Sequence, residues 1–206
     1  MHRSDIGPPK VWIGAHDPRM LRLTGEYGDG WIPAWPMSPS SYGARRDTIA
    51  RRAASVGRPV PECALHIAAI VGESRSHVAD LMARDPLGKL VALMCPAELW
   101  TEYGLTHPSG EGSRGLVDLI FHDLDPEQLR ELAPTIPFEL VEEFMFVGNA
   151  HEIASRVSSY ADHGLEHVIL GSVTGVVGGL DEIVANRGEL LALVAALREL
   201  EPRGPR

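Results

Sequence analysis

The stretch Val11-Trp12-Ile13-Gly14-Ala15-His16-Asp17-Pro18-Arg19 decides the fold class. It opens with an apolar run rich in β-formers, set off by the breakers Gly7-Pro8-Pro9, and reads as a short buried strand. Asp17-Pro18 follows as an N-cap residue with proline at the first helical position. Met20, Leu21, Leu23 and Thr24 continue on one face of a helix that stops near Gly25–Gly28. The unit is therefore strand, tight turn, helix.

The same unit recurs outward from it. Residues 29–33 form a second short strand, ended by a proline-rich loop, and a helix from Ser38-Pro39 runs to Gly57. Cys63 to Val71 is a third apolar strand, followed by a helix over about 73–93 with a break at Asp85-Pro86. From Cys95 to about residue 143 the pattern loosens into a helical insertion with a Gly/Ser/His loop at 106–115. Phe144 to Val147 is a short apolar stretch. Gly148-Asn149 then caps a helix that ends at Gly164, and 167–171 is a fourth buried strand. Residues 173–179 read as a loop, 181–200 as a final amphipathic helix, and the tail 201–206 as disordered. Apolar rather than alternating strands, each followed by a helix, imply a parallel sheet covered by helices. A closed (β/α)₈ barrel needs eight such units and about 250 residues. Four units in 206 residues imply half a barrel with an insertion, or a small open doubly wound sheet.

Bulk properties narrow the function classes. A formal net charge of −9 argues against non-specific nucleic-acid binding, which needs a basic face. No apolar run approaches the ~20 residues of a membrane span, and the N-terminus has no apolar signal core, so the chain reads as cytoplasmic with no transmembrane segment. Cys63 and Cys95 sit in apolar surroundings and read as buried free thiols. His107, His122, His151, His163 and His167 lack the spacing of a metal site, and no metal is expected. Neither a nucleophile elbow nor a P-loop is present, and the glycines of 175–179 lack the spacing of a dinucleotide fingerprint.

Residues 11–20, followed by Thr24-Gly25 and Asp29-Gly30-Trp31-Ile32-Pro33, resemble the luciferase-like family of flavin- and deazaflavin-dependent oxidoreductases. The segment from Gly148-Asn149 through Gly164 to Leu170 is similar to that family's closing unit. A likeness to the family's carbonyl-reducing members, the ketoreductases, extends through 98–104, His107-Pro108 and Val117-Asp118, so the resemblance covers nearly all of 8–175. It implies an α/β fold of (β/α)₈ TIM-barrel type, of which this chain holds the C-terminal half, strands five to eight. The whole of 1–206 would then be a single partial barrel domain with its insertion at about 95–143. It further implies a flavin- or F420-dependent monooxygenase or ketoreductase, truncated or split, whose proposed acid/base residues lie in an absent first half.

In a barrel the reactive face is built by loops after the strand C-termini. The resemblance therefore implies that Gly14, Ala15, His16 and Asp17 line a cofactor site at a helix N-terminus, with Arg19 as a phosphate partner. Asp17 stands where the family usually has glycine, and an acidic group there opposes an anionic cofactor. Trp35 is a candidate substrate wall, while Trp31 reads as core. His66, inside an apolar strand, and Gly171-Ser172, at the end of the last strand, are further substrate-side candidates, although a core histidine is the plainer reading of His66. No residue is assigned as catalytic. The implied cofactor is coenzyme F420, with FMN as alternative, and the implied substrate a lipid-like ketone. A half-barrel exposes two strand edges and an apolar face, so a homo-oligomer or a complementary half-barrel is the expected partner. The contrasting reading is a non-catalytic remnant that acts only through such association.

Overall fold

Ten consecutive residues, Glu62–Val71, form the strand on which every other layer rests. The structure is a computed structural model and describes residues 7–33 and 35–200. The tail expected to be disordered, 201–206, lies outside the described residues, as do 1–6 of the N-terminus. The sheet has five strands, all parallel: β1 (Trp12–Gly14), β2 (Gly30–Ile32), β3 (Glu62–Val71), β4 (Phe146–Gly148) and β5 (His167–Ser172). β1 pairs with β2 in the register Gly14↔Ile32. β3 carries β2 against Glu62 and Cys63, β4 against Ala69–Val71, and β5 along Ala64–Ala69. The stretch 144–147, read only as apolar, thus contributes a sheet strand.

The helices follow the strands as expected for parallel β-α units: α1 (Pro18–Tyr27) after β1, α2 (Pro39–Ser55) after β2, and α7 (Ala150–Ala161) after β4. Between β3 and β4 the chain is helical, with α3 (Arg75–Arg84), a 3₁₀ stretch at Pro86–Met94, α4 (Ala97–Glu102), α5 (Pro126–Leu132) and α6 (Phe138–Phe144). After β5 come α8 (Gly175–Ala185) and α9 (Arg187–Arg198). Local chemistry explains the boundaries. The Ser38 hydroxyl accepts from the Ser41 amide, and Asn149 with Glu152 forms a reciprocal capping box. Asp17 differs from its reading. It occupies the N-cap position and its carbonyl accepts from the Leu21 amide, but its carboxylate makes no cap hydrogen bond.

Three other expectations change. The loop expected at 173–179 is mostly helix, because Val177 is buried against the helical segment and gives α8 an anchor. Gly179, at φ 65°, kinks it. The expected final helix breaks at Asn186, whose side-chain amide donates to the Glu182 carbonyl and carboxylate. The strand 167–171, expected to be buried, has His167 and Ile169 exposed. Among the described residues β5 pairs only with β3, and nothing covers that face.

Alternation along β3 separates two cores. Cys63, Leu65, Ile67, Ala69 and Val71 point into one cluster with Tyr42 and Ile49 of α2, Val157 and Tyr160 of α7, and Leu193 of α9. Ala68 and Ile70 point the other way, under Met82, Trp100, Leu140 and Val177. His66 shares that second face, lower along the strand, and is exposed rather than buried in a core. Trp12, Glu62 and His167 share it too: the His167 ring lies 5.8 Å from Trp12, and its Nδ1 is 3.3 Å from a Glu62 carboxylate oxygen. A groove of about 290 Å³ runs beside β5, lined by Leu165, Val168, Leu170, Val194 and Leu197. Both cysteines are free and buried, and burial pushes each thiol up to about 12, so neither ionises near neutral pH.

Gly25 sets the approach of α1 to α2, since a Cβ there would run into the Ile49 carbonyl and lie 3.0 Å from the Ala53 amide nitrogen. The Gly25→Ala variant is expected to lose about 1–3 kcal/mol, the usual cost of overpacking. A urea titration reads this as a lower midpoint at unchanged slope, and an unshifted midpoint would contradict the close approach.

Candidate functional site

The parallel register Gly14↔Ile32 ends β1 and β2 side by side. The chain leaves β1 through Ala15-His16 and β2 through Pro33 toward Trp35, so residues 16 and 35 meet just beyond neighbouring strand ends. They meet face to face: the His16 and Trp35 rings are 3.6 Å apart and 7° from parallel. Below them Ala15 is buried, and its carbonyl accepts from the Trp31 indole N–H at 2.9 Å. That bond makes Trp31 a support of the turn from within the core, as its sequence reading held. Gly14 is open to solvent. A Cβ there would meet only the Ile32 carbonyl, at 3.7 Å, so the approach to the turn is unobstructed.

The electrostatics of the pair are decided by burial. Desolvation, followed by the nearby Arg45 charge, lowers the His16 pKa from 6.5 to about 4, while Asp17 opposes the shift. His16 is therefore neutral at pH 7. Its imidazole can stack and exchange hydrogen bonds without adding a second positive charge beside Arg45. Arg45 comes from α2. One terminal nitrogen donates to the Ser41 carbonyl at 3.3 Å, and its Nε, like that of Arg46, is buried with no partner among the described residues. A buried orphan donor is unusual and favours a nearby acceptor. No motif marks Arg45 in the sequence; it emerges only once α2 packs behind the turn.

The other expected residues divide. Asp17 and Arg19 are exposed at the start of α1. His66 and Gly171 are brought together on the open face of β3 and β5, where a Cβ at Gly171 would lie 3.2 Å from the His66 Nε2. The Ser172 hydroxyl is 3.3 Å from that of Thr174, which itself accepts from the Val71 amide at 2.9 Å. His66 and Gly171 thus form a second group on the open sheet face, whereas Ser172, in register with Ala69, belongs to the opposite face. His107 is structural: one ring nitrogen lies 3.0 Å from the Leu93 carbonyl and the other accepts from the Ser109 amide. Among the described residues no three His, Cys, Asp or Glu side chains converge as metal ligands, and no helix is long and apolar enough to cross a membrane.

The donor set suits a planar, partly anionic cofactor in three respects: an open glycine at the strand end, a flat aromatic stack, and a cationic side chain behind it whose Nε has no partner among the described residues. Asp17 is the one feature that opposes an anion.

The His16 ring is expected to titrate with a midpoint near 4 in an NMR pH series; a midpoint at 6.5 would contradict the burial described. The unfolded chain binds this proton more tightly than the folded one, so His16 leaves stability unaffected above about 6.5 and lowers it as pH falls toward 4. The His16→Gln variant should lose that part of the acid sensitivity.

Comparison with known proteins gives this geometry its family. The family described as luciferase-like monooxygenase matches residues 2–167. The chain is 34% identical over 164 residues to a phthiodiolone/phenolphthiodiolone dimycocerosates ketoreductase of Mycobacterium tuberculosis, covering 79% of this chain and 43% of that protein. It thus spans less than half the length of this curated relative. The fold resembles the coenzyme F420-dependent tetrahydromethanopterin reductase of Methanopyrus kandleri, with TM-score 0.59 at 14% identity over 91% of this chain and 49% of the other. It also resembles the oxygenating constituent of 3,6-diketocamphane monooxygenase of Pseudomonas putida, solved in complex with FMN, with TM-score 0.56 at 12% identity over 96% and 50%. The parallel sheet, its β-α order and the family match over most of the length agree: the chain belongs to the luciferase-like monooxygenase family of oxidoreductases.

Proposed function

We propose that this chain is the C-terminal half of a luciferase-like (β/α)₈ barrel, with β1, β2, β3 and β5 as barrel strands five to eight, and that the completed barrel is an F420-dependent ketoreductase. FMN is the alternative cofactor. The observation that carries the reading is the His16–Trp35 stack at the C-terminal ends of two adjacent parallel strands, where barrel enzymes place their chemistry. The curated relatives named as ketoreductases favour carbonyl reduction, and a structural neighbour named as F420-dependent favours the deazaflavin. The substrate in this reading is a small-molecule ketone of lipid-like character.

When bound, the cofactor supplies the hydride, and the protein supplies binding and orientation. In this proposal Gly14 leaves room for a planar group to approach the turn. The neutral His16 ring, held flat by Trp35, presents a surface for stacking. The Arg45 guanidinium favours negative charge beside the pair. Strands one to four, with the acid/base groups, would come from a complementary half. That half would cover Trp12, His66, His167 and Ile169, and pair with the open edges of β1 and β5. A second copy of the chain is the competing occupant of the same surface.

The test is a fluorescence titration with F420 and with FMN on this chain completed by the first half of a ketoreductase relative. F420 should bind below about 10 µM. Trp35→Ala and His16→Ala should each weaken it by about 3- to 10-fold, the worth of one aromatic stack. No binding of either cofactor at tens of micromolar would overturn the proposal.

A further inference from the structure

A cleft of about 410 Å³ opens beside Trp35, in the size range of small-molecule sites. We propose that it binds an aliphatic chain, the tail of a substrate whose carbonyl end lies at the His16–Trp35 pair. The inference rests on that pair being the reactive end, but the cleft itself is built wholly from this chain.

The walls come from five elements. The loop after β2 contributes Trp35 and Met37, and the first residue of α2 is Pro39; Pro96 and Leu99 come from the N-cap and first turn of α4; α6 and α7 close the remaining sides. Pro36, Pro39 and Pro96 stiffen two of these walls, and the Tyr160 hydroxyl ties the loop to α7 by donating to the Met37 carbonyl at 2.6 Å. The cleft is therefore preformed, which spares an occupant part of the ordering cost of binding.

Its two charged side chains each already have protein contacts. The Arg156 guanidinium lies 4.2 Å over the Phe146 ring and donates to the Met145 carbonyl at 2.7 Å. Glu143 accepts from the Tyr103 hydroxyl at 3.4 Å. Most of the remaining lining is the apolar surface of tryptophan, methionine, leucine and proline. Such a surface rewards methylene groups. Trp35 is the common wall: its ring stacks on His16 and also lines the cleft. A ketone with a long tail could thus hold its carbonyl at the strand ends while its chain lies past Trp35.

The test uses the 206-residue chain without cofactor and a series of 2-alkanones from acetone to 2-decanone, read by NMR on the Met37 and Leu99 methyl groups. Saturable shifts are expected, with each added methylene tightening binding about fourfold (0.8 kcal/mol) until the cleft is filled. Ser159→Trp and Leu99→Arg each plug the cleft. Either variant that keeps the parent circular dichroism should weaken 2-decanone at least tenfold and flatten the chain-length dependence. Absence of saturable shifts, or a length dependence that survives the plugs, would overturn the proposal. Because no cofactor is involved, failure here is distinct from failure of F420 binding.

Discussion

A parallel sheet needs both faces covered, and in this chain the two faces are covered unequally. One face of β3 is sealed along its length by α2, α7 and α9. The other is sealed only toward its C-terminal end, where Ala68 and Ile70 lie beneath the helical segment between β3 and β4. Lower on that face two histidines and an isoleucine stand exposed and a tryptophan is half-buried, beside a strand edge. Solvent-exposed parallel β-structure of this kind is rare, because unpaired edge groups and apolar side chains together invite association. The constraint gives the molecule its direction. A closed end carries the candidate site, and an open side leaves strand edges and exposed side chains uncovered among the described residues.

The same constraint explains why the site is composite. The strand-end register alone brings His16 beside Trp35, and the neighbouring helix supplies the charge that helps keep His16 neutral. Trp31 anchors the turn from within through its bond to the Ala15 carbonyl. The site thus depends on the sheet twice, for the juxtaposition of its rings and for the rigidity beneath them. His66 and Gly171 sit on the open face, one layer away from the stacked pair. A completed barrel would enclose both groups.

Much of this was legible in the chain itself. Apolar runs at 10–15, 63–71 and 167–171 declared strands. Ser38 and Gly148-Asn149 declared helix starts, and Trp31 declared itself core. What escaped did so for physical reasons. β4 has three paired residues, too few to show a periodicity. α8 is stabilised by burial of Val177 against a distant segment, which overrides its glycines. Asp17 has the right identity and position for a cap, yet its side chain turns away from that role. The partnership of His16 with Trp35 joins residues 19 positions apart and requires the β1–β2 register, and Arg45 carries no motif. The exposure of His66 and Ile169 was hidden because an apolar strand reads alike whether or not its second face is covered.

The central claim is that the open face and the free edges of β1 and β5 are completed by the first half of a luciferase-like barrel. Hydrogen exchange of the β5 edge amides tests it most directly, measured on the chain alone and after addition of a polypeptide spanning the first half of a curated ketoreductase relative. The account expects those amides to exchange at least about 100-fold more slowly once the half is added, as edge groups become ladder groups. Unchanged exchange at saturating first half, with β3 equally protected in both samples, would contradict it.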